Sequence, residues 1–215
     1  MGSVKLTNEI KAKHFEKLVD YNALLRENPV LRTLFIEVTQ VCNNSCLHCG
    51  SRCSVLSSRS KLDGKLTDFE IIECLVDLKS DLEKRGLPLP FITITGGEPT
   101  TRHNLAKLMK VIHKMGYKWG MTTNANLMSK EKAQEFKDAG LCSVSVSIDG
   151  MENTHNWFRQ SENAWEKAVI GVSNLVEVGI PYVMVTTVVH KRNIGELDEI
   201  KSLVKSLKAD MWRVI

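Results

Sequence analysis

Residues 42–53 read CNNSCLHCGSRC, and four of the chain's six cysteines fall within this run. The spacing C-x3-C-x2-C gathers Cys42, Cys46 and Cys49 in one short segment. So compact a loop can fold back until three thiolates converge, and soft thiolates suit zinc or an iron–sulfur cluster. A structural zinc site closes with four ligands, often as two short pairs separated by a longer loop. Here one run supplies three cysteines, and no distant CxxC follows. Three thiolates on a four-iron cubane leave one iron open to a small molecule. Cys53 keeps a second outcome open, since as a fourth ligand it would close the cluster and restrict it to electron transfer. Spacing alone also admits zinc or a disulfide.

Further along the chain, polar and glycine-rich stretches recur where strand-like runs end. TGGEPTTR (95–102) offers Gly96 and Gly97, which let the backbone approach a ligand, and Glu98, an acceptor for a cation. A tight β-to-α turn with Pro99 at the entry to a helix accounts for the same residues. TTNANL (122–127) carries side chains able to hydrogen-bond a ribose. SVSIDG (145–150) and HNWFR (155–159) contribute Asp149, equally a turn residue, and Arg159, whose fork can clamp a carboxylate. In TTVVHKRN (186–193), Asn193 reads as the N-cap of a following helix. Cys74 and Cys142 lie in helix and strand patterns and read as buried small hydrophobes. The four tryptophans read as core or rim residues.

The background to these residues is ordinary. The chain has 215 residues, 43% hydrophobic and 25% charged, with a formal charge of +4. No block of like charge argues for nucleic-acid binding. The start lacks the apolar stretch of a signal peptide, and no apolar run approaches a membrane span. A cytoplasmic protein with reduced thiols is expected, without a membrane or nucleic-acid partner, which favours a metal over a disulfide.

Six β-rich runs must position these stretches: 34–40, 91–95, 118–123, 142–149, 182–189 and 211–215. Helical patterns separate them. Thr67 with Glu70 makes a capping box, Ser129 starts a helix, Asn193 with Glu196 opens another, and Gly116, Gly140 and Gly179 mark stops. An amphipathic helix is expected over 7–28. Strand–helix alternation predicts an α/β fold with a parallel sheet and right-handed crossovers. Either a flat doubly wound sheet or a curled partial barrel satisfies that pattern. The chain stops on MWRVI, a strand with no helix or polar tail after it. Residues 1–30 are therefore expected to form a helical extension, and 31–215 one domain cut at its sixth strand.

CNNSCLHC, followed one strand–helix unit later by GGE, resembles the cluster loop and GGE motif of the radical S-adenosylmethionine (SAM) enzymes. The resemblance runs from about Leu34 to Val189. It implies a partial (β/α)6 barrel with an N-terminal helix, its site residues at the carboxyl ends of successive strands. By the same resemblance, Cys42, Cys46 and Cys49 hold a [4Fe–4S] cluster, and SAM chelates the open iron through its amino and carboxylate groups. His48 stands where a residue packs near the adenine, and Gly96, Gly97 and Glu98 bind the SAM amino group. Thr123 and Asn124 match the family's T-N-G, with Ala125 in the glycine position, so Asn126 is expected to take the left-handed conformation instead. Ser147, Asp149 and Arg159 match residues that hold the ribose or carboxylate, with Gln160 where a glycine usually follows the arginine. Thr187 and His190 are candidates for the adenosine pocket. The implied activity is reductive cleavage of SAM and hydrogen abstraction from a substrate, oxidoreductase- or transferase-type radical chemistry. A flavodoxin or ferredoxin is the implied electron donor. FIEVTQ, CLHCGSRC, GGEPT and SIDG most resemble the SPASM-type subgroup, which implies a peptide or protein substrate. No catalytic residue is assigned. The competing readings are a non-catalytic zinc-binding α/β module and an electron-transfer protein with Cys53 as fourth ligand.

Overall fold

The structure, a computed structural model, describes residues 7–27, 29–50, 54–55 and 66–215. Contacts divide the chain into two units, Met1–Arg32 and Thr33–Ile215. The first holds the expected helix, α1 (Asn8–Glu27), in which no residue is buried. Among the described residues no helix is long and apolar enough to cross a membrane.

In the second unit, β1 (Thr33–Glu37) is followed by two short strands, β2 (Val41–Cys42) and β3 (Ser54–Val55), which pair in parallel with each other. After α2 (Asp68–Lys84) the alternation becomes regular. It runs β4 (Phe91–Thr95), α3 (Leu105–Lys114), β5 (Trp119–Thr123), α4 (Lys130–Asp138) and β6 (Leu141–Ser147). Two helices, α5 (Glu152–Arg159) and α6 (Ala164–Glu177), precede β7 (Val183–Thr187), and α7 (Leu197–Ser206) precedes β8 (Met211–Val214). The expected strands are all present, with β1, β6 and β7 ending two or three residues earlier than expected. Sequence periodicity missed β2, β3 and the separate short helix α5.

The main sheet is parallel throughout, in the order β1-β4-β5-β6-β7-β8. Spatial order equals chain order, so there is no switch point of the kind a doubly wound sheet requires. The flat alternative is excluded, and the sheet is the partial barrel.

Alternation decides which face is covered. Ile92 and Ile94 on β4, Val144 and Val146 on β6, and Val183 and Val185 on β7 are buried under the helices. Leu75, Met109, Ile112, Phe136 and Leu175 meet them from the helix side. Phe35, Thr93, Ser143 and Ser145 face the other way. Local signals set the helix ends. The Thr67–Glu70 capping box is complete, with Glu70 N donating to Thr67 Oγ1 (3.2 Å) and Thr67 N to Glu70 Oε2 (2.7 Å). Ser129 caps α4 through the amide of Lys132 (3.2 Å).

Two expectations about cysteines need correction. Cys74 is exposed on α2 and Cys142 is half-buried on β6, its thiol donating to Trp119 O (3.0 Å). A register shift between β5 and β6 pairs Trp119 with Leu141 and Gly120 with Ser143, so Cys142 is skipped and leaves the alternation that buries Val144 and Val146, while Cys74 points off the buried stripe of Ile71 and Leu75. No disulfide links the described cysteines. Cys53 lies outside the described residues.

Candidate active site

The cysteine loop is held first by backbone. Beyond β1, Val38 N donates to Thr95 O (3.0 Å), Gly97 N to Thr39 O (2.7 Å) and Glu98 N to Val41 O (2.8 Å). The segment entering the loop thus lies directly on the GGE turn. Gly96 has φ +130, and a Cβ there would sit 2.3 Å from Thr39 O; at Gly97 it would sit 2.2 Å from Val41 O. Both glycines are required by this backbone contact, whereas the sequence pointed to approach of a ligand. Arg102, the last residue of TGGEPTTR, ties the same region down by donating to Val38 O (2.8 Å) and Asp68 Oδ1 (2.5 Å).

Asparagines supply a second tether. Asn124 Nδ2 donates to Asn43 Oδ1 (2.7 Å), and Asn126 Nδ2 donates to Asn44 Oδ1 (2.9 Å). The NN of CNNSC is thereby attached to the loop after β5. Sequence reasoning passed over Asn43 and Asn44, whose partners lie some eighty residues away.

Glu98 is 1% exposed, with its carboxylate turned onto protein donors. Oε1 accepts from Thr100 N (3.0 Å), Thr100 Oγ1 (2.6 Å) and Thr123 Oγ1 (2.7 Å), and Oε2 accepts from Asn124 N (2.7 Å). This carboxylate therefore joins the GGE turn to the loop after β5 and retains acceptor capacity mainly on Oε2. Ala125 itself takes the left-handed conformation, φ 59, correcting the expectation that Asn126 would. Gly171 on α6 makes room, because a Cβ there would lie 2.7 Å from that of Ala125. Gln160 likewise takes φ 52 as the C-cap of α5. Both non-glycine residues at the family's glycine positions thus adopt the backbone that a glycine would supply.

Under the opposite wall lies a buried ion pair. Asp149 is fully buried and Arg159 is 8% exposed. Arg159 donates through Nε to Asp149 Oδ2 (2.7 Å), and its Nη2 also contacts that oxygen. Its Nη1 reaches Cys46 Sγ at 3.6 Å. Asp149 Oδ1 accepts from Val188 N (2.9 Å), and the Asp149 amide donates to His155 Nδ1 (2.9 Å). Burial, helped by Arg159 and opposed by Asp149, lowers the His155 pKa to about 4, so the ring is a neutral acceptor. Burial opposes the charge on Arg159, but Asp149 and Cys46 outweigh it and raise its pKa. Burial also pushes the Cys46 thiol up, partly offset by Arg159. Asn193 occupies the cap position of the 3-10 turn Ile194–Glu196 but makes no side-chain cap bond. Its Nδ2 instead donates to Asp149 O and Val188 O (both 2.8 Å), a correction to the N-cap reading.

The rim is aromatic. His48 stacks on Phe158 (centroids 4.4 Å, planes 1° apart), and Phe158 stacks on His190 (4.4 Å). Burial, and then Arg159, lower the His48 pKa. His190 Nε2 is buried without a hydrogen-bond partner among the described residues. Phe158 was missed in the sequence, where it is only one residue within HNWFR.

These elements border an open-mouthed cavity of about 130 Å³. Cys42, Cys46, Cys49 and His48 border it from the cysteine loop, and Gly96, Gly97 and Glu98 from the GGE turn. Thr95, Thr122, Thr123, Asn124, Ser147 and Arg159 complete it. Asp149 and Thr187 do not line it. Asp149 lies behind Arg159, and the Thr187 hydroxyl donates to Ile148 O (2.6 Å) while accepting from Trp212 Nε1 (2.9 Å). Among the described residues no three His, Cys, Asp or Glu side chains close around one point as a single ion requires. A cubane takes each thiolate on a different iron, so the donor set of Cys42, Cys46 and Cys49 fits an iron–sulfur cluster better than one zinc ion.

Comparison with known proteins agrees with this geometry. Residues 36–204 match the model of the radical SAM superfamily. The chain is 31% identical over 171 residues to an Fe-coproporphyrin III synthase of Methanosarcina barkeri, covering 80% of this chain and 40% of that protein. It thus spans less than half the length of this relative. Among solved structures, Streptococcus suis SuiB bound to precursor peptide SuiA superposes with TM-score 0.65 at 16% identity, covering 100% of this chain and 46% of that one. SuiB bound to S-adenosylmethionine gives TM-score 0.68 at 16% identity, covering 94% and 45%. The chain belongs to the radical SAM superfamily.

Proposed function

We propose that this chain carries the catalytic barrel of a radical SAM enzyme acting on a peptide or protein, with residues 31–215 as the barrel and 1–30 as a helical extension. One observation supports the reading above all. Three cysteines of one loop, the GGE turn, Ser147 and Arg159 border a single cavity at the carboxyl ends of the strands. A non-catalytic zinc module has no need of the last three features.

Cys42, Cys46 and Cys49 would hold the [4Fe–4S] cluster, leaving one iron for the amino and carboxylate groups of SAM. When bound, the reduced cluster supplies the electron that cleaves SAM and yields a hydrogen-abstracting 5′-deoxyadenosyl radical. The chain's own residues orient and enclose. Glu98, fixed by Thr100 and Thr123, presents Oε2 towards a cation such as the SAM amino group. Arg159 is committed to Asp149 through Nε and Nη2, so it offers Nη1 and contributes positive charge beside Cys46. Asp149 is thereby a positioning residue. His48, backed by Phe158, offers a flat surface for a base, and Asn124 and Ser147 offer polar atoms for a ribose. The peptide substrate is supported by the likeness to SuiB, and the electron would come from a flavodoxin or ferredoxin.

Anaerobic reconstitution with iron and sulfide followed by Mössbauer spectroscopy tests the cofactor assignment. Addition of SAM to an open cluster changes the signal of one iron. A zinc-only protein, or four irons indifferent to SAM, would defeat the reading.

A further inference from the structure

We infer that Arg213, bordering the inner face of the sheet, anchors a carboxylate of an acidic peptide substrate. The inference rests on the proposed radical SAM reading and adds the chemistry of the substrate to it.

A second cavity, about 200 Å³, is bordered by residues from all six strands of the main sheet. Phe35, Thr93, Thr122, Ser145, Met184 and Arg213 each contribute from a different strand. Register explains its depth, because Thr93 lies beside Gly120 and Gly120 beside Ser143. Gly120 has no room for a Cβ, which would meet Ser143 O at 2.6 Å and Phe91 at 3.0 Å. Thr122 borders both this cavity and the cysteine-lined one, so the two adjoin through one side chain. A substrate in the second cavity would therefore lie next to the proposed site of SAM.

The chemistry of this wall is selective. The hydroxyls of Thr93, Thr122 and Ser143 make no hydrogen bond among the described residues. Arg213 is the one charged residue bordering the cavity among them, and it forms no ion pair or hydrogen bond there. A guanidinium facing neutral hydroxyls favours a ligand that is anionic at one end and polar along its length. Arg213 pairs in register with Thr186, and Thr186 with Ser147, so it shares a row with a residue of the cysteine-lined cavity.

Spacing favours a peptide over a free amino acid. From β5 to β8 there are three strand intervals, at most ~14 Å along the sheet at ~4.8 Å each. A single amino acid does not span that distance, whereas about four extended residues do. The anchored carboxylate is then an acidic side chain or chain terminus a few residues from the reacting carbon.

The test uses the reconstituted protein with SAM present, under anaerobic calorimetry. Two probe peptides are compared, acetyl-Ser-Ala-Ala-Glu-Ala-amide and its Gln isostere. The Glu peptide is expected to bind about tenfold tighter at low salt. Arg213→Gln is expected to abolish that preference and Arg213→Lys to retain part of it, each variant being checked for wild-type circular dichroism. Equal binding of the two peptides, a preference that survives Arg213→Gln, or no binding of either at millimolar concentration would overturn the inference. SAM cleavage by the wild-type protein without peptide is scored separately. Its absence would defeat the underlying reading, whereas cleavage without a Glu preference would defeat only the substrate assignment.

Discussion

Replacing Asp149 by Asn separates the structural role of the buried ion pair from the roles of its neighbours. Asp149 is 0% and Arg159 8% exposed, so the guanidinium left behind in Asp149→Asn has little water to turn to. The Asn amide can still accept from Val188 N, but its NH2 group would face the Arg159 donors. Removing one partner of a buried pair costs about 3–5 kcal/mol. For a unit of this size each kcal/mol lowers Tm by about 2–4 °C, so a fall of roughly 6–20 °C is expected. Urea unfolding of the reduced, metal-free protein, followed by circular dichroism, gives the free energy directly. The double variant Asp149→Asn/Arg159→Met removes the stranded charge and should recover part of the loss. If Asp149→Asn lies within ~1 kcal/mol of wild type, or the double variant loses the sum of the two single losses, the pair does not act as described.

His155 gives a pH signature. Its folded pKa of about 4 lies below the unfolded value of 6.5, so the unfolded chain binds the proton first as pH falls. Stability should fall by about 3 kcal/mol between pH 6.5 and 4 from this group, and His155→Asn, which keeps an acceptor for the Asp149 amide, should flatten that segment of the urea-midpoint profile. Gly97→Ala must move a Cβ away from Val41 O, 2.2 Å distant, at a cost of about 1–3 kcal/mol. Reduced iron incorporation together with a lower Tm is expected, and wild-type values for both would show that the turn yields easily. Cys49→Ala should lose the reconstituted cluster while Cys53→Ala keeps it, as measured by iron content and absorbance; the opposite result would make Cys53 a ligand.

Features with short-range causes were legible in the sequence. The capping box of Thr67 and Glu70, the Ser129 cap and the period of the strands each depend on residues a few positions apart, and all are present. Spatial order of the strands was not fixed by alternation alone, and it took the family resemblance to choose the curled sheet. The site residues gathered at one cavity as far as their position at strand ends determined it. What they do locally was harder to read. Glu98, Asp149 and Asn193 are engaged by partners distant in the chain, such as Asn124 and Val188, which no local pattern discloses. Ala125 and Gln160 show the converse, since packing imposes positive φ on residues whose own preference is against it. Cys74 and Cys142 were misjudged because residue type was allowed to stand for burial.

The central claim is that the three loop cysteines and the cavity beside them bind and reductively cleave SAM. After anaerobic reconstitution and reduction with dithionite, 5′-deoxyadenosine and methionine should form from SAM in equal amounts. Alanine at Cys42, Cys46 or Cys49 should abolish both the products and the cluster absorbance near ~400 nm. A wild-type protein that assembles its cluster yet neither binds nor cleaves SAM would contradict the account.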